Sequence, residues 1–379
     1  MSFVADTREL ATPSLLVDEA ILDANLEGMA RHVARAEADL WPHAKTHKTA
    51  ELVRRQLEHG AVGVTAATLR EAETFAEAGA PAVLIAYPPV GRWRLDRLAA
   101  LARRTSVRVA LDDVAQVRAL DAACRGAGVR IGWLWEVDCG VGRCGGESGA
   151  PAAGAVAAVV TEVDAAPFAG LMTFAGHAYQ AADDAELERI AADERAAVEV
   201  SAAALRERGV EVPALSIGTT PTVSRLRPGG REHFEVRPGN YVFNDASQVA
   251  LGVAALEQCA LSVLATVVSR PAPGRLILDC GSKALTTERP SPRSPAFGIV
   301  LDHPEVEICR LFEEHAIAAA SPGCALRPGD RVRVVPNHAC PVVNLHDRLH
   351  LLRDGKVVEE WRVAARGWSN DLNTRQEGI

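Results

Sequence analysis

The stretch AVLIAYPPVGRWRLDRLAALARRTSVRVALDDVAQVRALDAACR, residues 82–125, carries the reading of the fold. It holds two short apolar runs, at 82–87 and 107–112, and each opens onto a segment with apolar residues at helical spacing, at 93–103 and 113–125. Runs rich in Val, Ile and Leu without polar alternation are strands buried on both faces. A helix after each one is the signature of a parallel sheet. Working outward, further strand candidates lie at 38–42, 62–66, 130–137, 168–174, 214–218 and 236–243, which brings the count to eight. Helical segments fall between them at 50–59, 69–78, 152–164 and 184–208, with one more at 19–37 before the first strand. Eight such units close into a (β/α)8 TIM barrel. An open doubly wound sheet is the alternative, but no GxGxxG follows the first strand to cradle a dinucleotide.

Beyond about residue 251 the texture changes. Alternating runs at 261–269, 275–280, 331–335 and 349–352 are separated by turn signals at 271–274, 327–330 and 354–355. This predicts a C-terminal antiparallel β domain, to which residues 14–18 donate a strand. The α/β chain therefore divides into an N-terminal segment, 1–20, that joins the β domain, a barrel over 21–250 and the β domain over 251–379.

Composition narrows the function. Hydrophobic residues are 48% and charged residues 24% of the 379, which is globular composition and excludes disorder, collagen and coiled coil. A net charge of −8 argues against nucleic acid as a partner, since phosphates need a basic surface. No apolar run reaches the ~20 residues that span a bilayer, and the N-terminal MSFVADTREL is too charged for a signal peptide. Eight cysteines are scattered without a CxxC pair, which suits reduced thiols and a cytoplasmic location.

Six segments carry chemistry. Trp41-Pro-His-Ala-Lys-Thr-His-Lys48 sits at the C-terminal end of the first strand, the rim where a barrel keeps its active site. Lys45 there suits a Schiff-base lysine, although the spacing equally allows a basic surface loop. Ser216-Ile-Gly-Thr-Thr-Pro-Thr-Val223 and Glu235-Val-Arg-Pro-Gly-Asn-Tyr241 follow the seventh strand and begin the eighth. Their glycines and hydroxyls, in adjacent loops, fit a phosphate cup. Val137-Asp-Cys-Gly-Val-Gly-Arg-Cys-Gly145 frees Arg143 to reach over a ligand or to form a structural ion pair. Gly176-His-Ala-Tyr179 adds His177 and Tyr179 near the rim. Pro336-Asn-His-Ala-Cys-Pro341 places His338 and Cys340 two apart, hence on one face of an extended strand. Imidazole plus thiolate suits zinc, although an ordinary strand with a half-buried His and Cys has the same spacing.

Together these segments, above all Pro-His-Ala-Lys-Thr-His-Lys and Pro-Asn-His-Ala-Cys-Pro, resemble the D-serine dehydratase and D-threonine aldolase family, pyridoxal-phosphate enzymes with an alanine-racemase-like barrel of fold type III. The resemblance runs from Ala11 to Gly367. It implies that Lys45 condenses with pyridoxal 5'-phosphate, that Arg143 approaches the phenolic oxygen, and that Gly218, Thr219, Thr220, Gly239, Asn240 and Tyr241 form the phosphate cup. Arg237 falls where racemases keep an arginine facing the pyridine nitrogen. His177 is implied as an acid/base residue beside Tyr179. His338 and Cys340 are implied as ligands of a divalent metal, zinc preferred, manganese or magnesium possible. The implied activity is a lyase on D-β-hydroxy amino acids. His-x-Cys leans toward the D-serine dehydratase outcome, a 2-oxo acid plus ammonia, and His-x-Asp toward the aldolase outcome, glycine plus an aldehyde. An amino-acid racemase is a weaker alternative, since it needs no metal. A non-enzymatic cofactor-binding regulator is weaker again, since residues after 251 exceed a bare barrel. The resemblance also implies a homodimer, with barrel and β domain head to tail and a small-molecule substrate as the partner.

Overall fold

A computed structural model describes residues 5–227, 232–289, 291–294 and 296–367. Residues 1–4 of the N-terminal segment and 368–379 of the C-terminal part lie outside them. The chain opens with strands β1 (Ala5–Asp6) and β2 (Ser14–Asp18) and helix α1 (Glu19–Arg35). Eight strand–helix units follow: β3 (Asp39–Leu40) with α2 (Ala50–Glu58), β4 (Val64–Ala66) with α3 (Leu69–Glu77), β5 (Ala82–Ile85) with α4 (Arg92–Ala102), and β6 (Ser106–Leu111) with α5 (Val114–Ala127). Next come β7 (Gly132–Glu136) with α6 (Ala150–Val160), β8 (Phe168–Met172) with α7 (Asp184–Arg206), β9 (Leu215–Ile217) with α8 (Thr220–Val223), and β10 (Phe234–Val236) with α9 (Ala246–Ala250).

The eight strands form one sheet in the order β3-β10-β9-β8-β7-β6-β5-β4, and every pairing in it is parallel. Its two ends meet: Leu40 O accepts from Val62 N at 3.0 Å, Pro42 O from Thr65 N at 2.8 Å, and His43 bridges Thr65. Closure gives the barrel expected from the strand count. Local chemistry sets each unit. Asp113 caps α5 by accepting from Ala115 N at 2.7 Å, and Gly128 ends it in the left-handed region at φ 66°. The eighth strand departs from the reading over 236–243. It is Phe234–Val236, and residues 240–242 turn into a short 3-10 helix. Pro238-Gly239 is the reason: proline cannot extend the ladder and glycine favours the turn.

The remaining elements are β11 (Leu261–Ala272), β12 (Arg275–Leu278), α10 (Ser282–Leu285), β13 (Ile299–Val300), β14 (Val306–Leu311), β15 (Ala316–Ala320), β16 (Arg331–Val335), α11 (Ala339–Leu345), β17 (Arg348–Arg353) and β18 (Lys356–Arg362). With β1 and β2 they make a ten-stranded sheet that is antiparallel except where β2 runs parallel to β17. Leu15, Leu16 and Val17 of β2 are fully buried there. Burial of that size stabilises by about 2 kcal/mol per side chain and holds the N-terminal strand between β11 and β17. Among the described residues no helix is long and apolar enough to cross a membrane.

Candidate active site

The lysine segment is shaped by its neighbours on the barrel rim. Trp41 N donates to Val236 O at 2.8 Å and His43 N to Pro238 O at 2.9 Å, so residues 41–43 prolong β3 against the chain leaving β10. One 3-10 turn, Ala44–Thr46, then presents Lys45 to the cavity. Its Nζ lies 5.5 Å from the Phe174 ring centroid and, among the described residues, makes no hydrogen bond or ion pair. The second lysine is spent elsewhere: Lys48 Nζ donates to Asn344 Oδ1 at 2.8 Å and pairs with Glu71 at 3.3 Å. The two histidines differ as well. His43 lines the cavity, and burial beside Lys45, Arg237 and Arg143 holds its imidazole neutral, well below the usual range. His47 is fully buried. Its Nδ1 accepts from Thr49 N at 3.2 Å, so Nε2 carries the proton and donates to Gln56 Oε1 at 3.2 Å.

The loops after β9 and β10 face one end of the cavity. Gly218 has φ 106°, and a Cβ there would sit 2.5 Å from Val223 Cγ2, so only glycine makes this turn. Buried Glu194 from α7 accepts from Gly218 N at 2.9 Å, Ala175 N at 3.2 Å and Thr173 Oγ1 at 3.3 Å, which ties two rim loops together. Thr219 caps α8 in a capping box with Thr222. A Cβ on Gly239 would lie 2.7 Å from Thr46 Oγ1 and 2.8 Å from the His43 carbonyl, so glycine at 239 lets this loop touch the lysine turn. The Tyr179 hydroxyl faces Thr220 and Asn240, and burial pushes its pKa well above the phenol range. Arg237 is buried and donates to Ser216 Oγ at 2.5 Å and to the Thr173 carbonyl. Arg143 lies 4.2 Å over Phe174 and 3.5 Å from Glu136, whose carboxyl burial pushes up.

His338 and Cys340 are close together but not on a strand, which corrects the spacing argument. β16 ends at Val335, Pro336 breaks it, His338 takes the N-cap position of α11 without a side-chain capping bond, and Cys340 lies in that helix's first turn. Asp245, fully buried, accepts from Ala339 N at 2.9 Å and from Asn240 Nδ2 at 2.5 Å, and so joins this helix start to the loop after β10. Cys340 Sγ is 3.3 Å from Thr46 Oγ1. Burial raises the Cys340 thiol pKa, but the facing His338 outweighs it and the net shift is downward. Burial lowers His338, while Cys340 and Glu288 carry it up to about 10.

One cavity of about 620 Å³ at the C-terminal rim gathers all the residues that sequence assigned to a site except His177 and Tyr241. His177 is half-buried off its wall, its Nε2 3.5 Å from where a Gly140 Cβ would be. The Tyr241 ring points into the core, where its hydroxyl accepts from Gln56 Nε2 at 3.2 Å, and only its backbone N–H faces the loop, donating to Thr220 Oγ1 at 3.2 Å. Sequence reasoning missed Glu136, Phe174 and Glu288. Glu136 ends β7 and Phe174 follows β8 by two residues, so their place at strand ends was a usable signal. Glu288 lies in an irregular loop that offers none.

The model of the alanine racemase N-terminal domain matches residues 17–247, and that of a serine dehydratase domain matches residues 260–352. D-threonine aldolase of Arthrobacter sp is 36% identical over 94% of this chain and 93% of its own. The chain belongs to the D-serine dehydratase and D-threonine aldolase family. Within the family, D-threo-3-hydroxyaspartate dehydratase of Delftia sp. is 32% identical over 95% of this chain and 98% of its own. A metal-free cysteine-to-alanine variant of D-threo-3-hydroxyaspartate dehydratase superposes with a TM-score of 0.88 at 30% identity, covering 96% of this chain and 100% of its own. A second variant of that enzyme replaces a histidine two positions before that cysteine, and has a TM-score of 0.89 at 31% identity, covering 96% of this chain and 97% of its own. This lyase family carries pyridoxal phosphate, and the residues present fit it. The cavity offers an unpaired lysine amine. The α8 turn and the 3-10 turn Asn240–Val242 start at one end of it, and a helix start leaves its first N–H groups without intrahelical partners. The buried Tyr179 hydroxyl stands beside them. For a metal, His338 and Cys340 supply one nitrogen and one sulfur, the donor types that zinc takes. Among the described residues no group of three His, Cys, Asp or Glu side chains converges, so a metal held by this pair keeps open positions.

Proposed function

We propose that this chain is a pyridoxal-phosphate- and divalent-metal-dependent lyase acting on D-configured β-hydroxy amino acids, of the D-serine dehydratase type. The observation that carries it is the unpaired Lys45 amine in one cavity with the His338–Cys340 pair. Bound there, the cofactor withdraws electrons from the substrate α-carbon and labilises its bonds. His338 and Cys340 would hold a divalent metal, which would supply Lewis-acid polarisation of the substrate's β-hydroxyl. Lys45 Nζ would take the α-proton and the β-hydroxyl would leave as water once protonated; the released enamine tautomerises to an imine, and a water molecule hydrolyses it to the 2-oxo acid and ammonia. Tyr179, kept un-ionised by burial, would offer its hydroxyl proton to the cofactor's anionic end beside Thr219 and Thr220. Arg143 and Arg237 hold positive charge along the wall, and Phe174 and Met172 exclude water from the α-carbon.

Support for dehydration is that His-x-Cys matches the spacing of the histidine and cysteine replaced in the two dehydratase variants. A second reading is retro-aldol cleavage. It is supported by the 36% identity to a D-threonine aldolase and by Glu288, a carboxylate beside His338 that suits removal of the hydroxyl proton. Incubation with D-threonine separates them: 2-oxobutyrate with ammonia marks the dehydratase, acetaldehyde with glycine marks the aldolase. Neither pair, with zinc or manganese supplied, would sink both. We further propose a cytoplasmic enzyme working as a head-to-tail homodimer, whose mass light scattering reads directly.

A further inference from the structure

Glu194 reaches from the middle of α7 to the back of the cavity wall, and it is 1% exposed. A single oxygen, Oε1, accepts from Thr173 Oγ1 at 3.3 Å, Ala175 N at 3.2 Å and Gly218 N at 2.9 Å. The two amides open two separate turns. Gly218 leads directly into Thr219 and Thr220 at the start of α8, and Ala175 leads into the 3-10 turn Gly176–Gln180 that carries Tyr179. Both turns arrive at one corner of the cavity, where the Tyr179 hydroxyl faces Thr220 and Asn240. Gly218 serves that corner through its turn, since its N–H is taken by Glu194. Packing alone does not back the turn: a cleft of about 210 Å³ lies behind it, lined by Glu194, Ile217, Gly218 and Thr222 among others. The buried charge is matched. Arg237 donates to the Thr173 carbonyl, and while burial pulls its pKa down, the carboxylates around it push it back up, Glu194 foremost.

We propose that Glu194 is a positioning residue for the cofactor's phosphate: by holding Gly218 N and Ala175 N on one carboxylate oxygen, it sets the Thr219–Thr220 start of α8 against the Tyr179 hydroxyl so that both serve one phosphate. This rests on the pyridoxal-phosphate reading above and deepens it. Glu194 does not itself line the cavity. It acts through the reach of its oxygen, and its charge is secondary. Losing a hydrogen bond to a charged acceptor shifts an equilibrium by about tenfold or more, which is the size of effect expected on phosphate binding.

The test titrates the full chain, freed of cofactor, with pyridoxal 5'-phosphate and with pyridoxal, which lacks the phosphate. Binding is read from the yellow absorbance, independently of turnover. Glu194→Asp keeps the charge but draws the acceptor back by one methylene, whereas Glu194→Gln keeps the reach and removes the charge. Relative to wild type, Glu194→Asp should bind pyridoxal 5'-phosphate about tenfold more weakly and pyridoxal within about threefold, and Glu194→Gln should hold both within about threefold. Unchanged pyridoxal 5'-phosphate affinity in Glu194→Asp overturns the proposal. So does an equal loss for both ligands, which marks general loosening of the fold, and so does a Glu194→Gln that loses as much as Glu194→Asp, which marks charge instead of reach. Either variant alone can overturn it should the other fail to fold. Failure of the cofactor reading looks different: wild type then turns yellow with neither ligand.

Discussion

Lys45 and Lys48 show how little separates a reactive amine from a structural one. Both belong to the same eight-residue motif, yet Lys48 is tied to Glu71 and Asn344 while Lys45 faces the cavity and makes no hydrogen bond or ion pair among the described residues. Cys340 differs from the other cysteines in the same way. All eight are free thiols, and burial pushes the buried Cys124, Cys259 and Cys280 upward. Cys340 alone faces an imidazole that stabilises its anion. Replacing it should therefore act on metal, not on cofactor. Cys340→Ala is expected to weaken zinc binding at least tenfold, about what the loss of even an outer-sphere partner costs, with the cofactor's yellow absorbance retained. Zinc titration of the dialysed holoenzyme checks this, and an unchanged dissociation constant removes the metal role.

Between elements, one buried chain of polar groups links the lysine turn to the phosphate-side loop. His47 Nε2 donates to Gln56 Oε1, Gln56 Nε2 donates to the Tyr241 hydroxyl, and Tyr241 N donates to Thr220 Oγ1. His47 and Gln56 are both 0% exposed, so neither can trade a lost partner for water. Gln56→Leu should destabilise the protein by about 1–3 kcal/mol per stranded partner and, by loosening both loops, weaken cofactor binding. Urea unfolding and equilibrium dialysis with pyridoxal phosphate measure the two effects. Stability lost with cofactor affinity unchanged would show that α2 props the core without positioning the site. Motif reading placed His47 in the segment but could not tell that it looks inward, because the partner, Gln56, lies on the next helix, eight residues past the end of the motif. The same limit hid the helix that carries Cys340: His-Ala-Cys reads equally as strand or helix start, and only the end of β16 at Val335 and the Asp245 acceptor for Ala339 N decide it.

Across the whole molecule, pH dependence follows from histidines buried neutral. His47 is carried down to about 4 by burial, and His43 is held well below its usual value by burial beside three cations. Below the ordinary value of about 6.5 the unfolded chain takes up protons that the folded chain refuses, so acid favours unfolding and stability rises with pH across that window. For His47 the window is about pH 4 to 6.5, with a slope of up to about 1.4 kcal/mol per pH unit. Urea unfolding at pH 7.5 and 5.0 should show wild type losing more stability than His47→Gln. Equal losses would mean that His47 is protonated in the folded chain. The comparison isolates His47 from the buried carboxyls Glu136 and Asp245, which burial pushes up and which act in the opposite direction.

Periodicity alone set the barrel and the β domain, because eight apolar runs spaced by amphipathic helices have few other ways to bury themselves, and turn residues such as Pro328-Gly329-Asp330 mark where chain reversal is cheapest. Motif spacing likewise singled out the lysine turn, the glycine loops and the His-x-Cys pair. Proximity was beyond it. That Thr46 touches Cys340 across 294 positions, that Glu288 stands beside His338, and that His177 and the Tyr241 ring leave the cavity wall all depend on how closed strands converge and how the β domain's loops fold back over them. Such contacts are fixed by packing between distant segments, and no local pattern of residues encodes them.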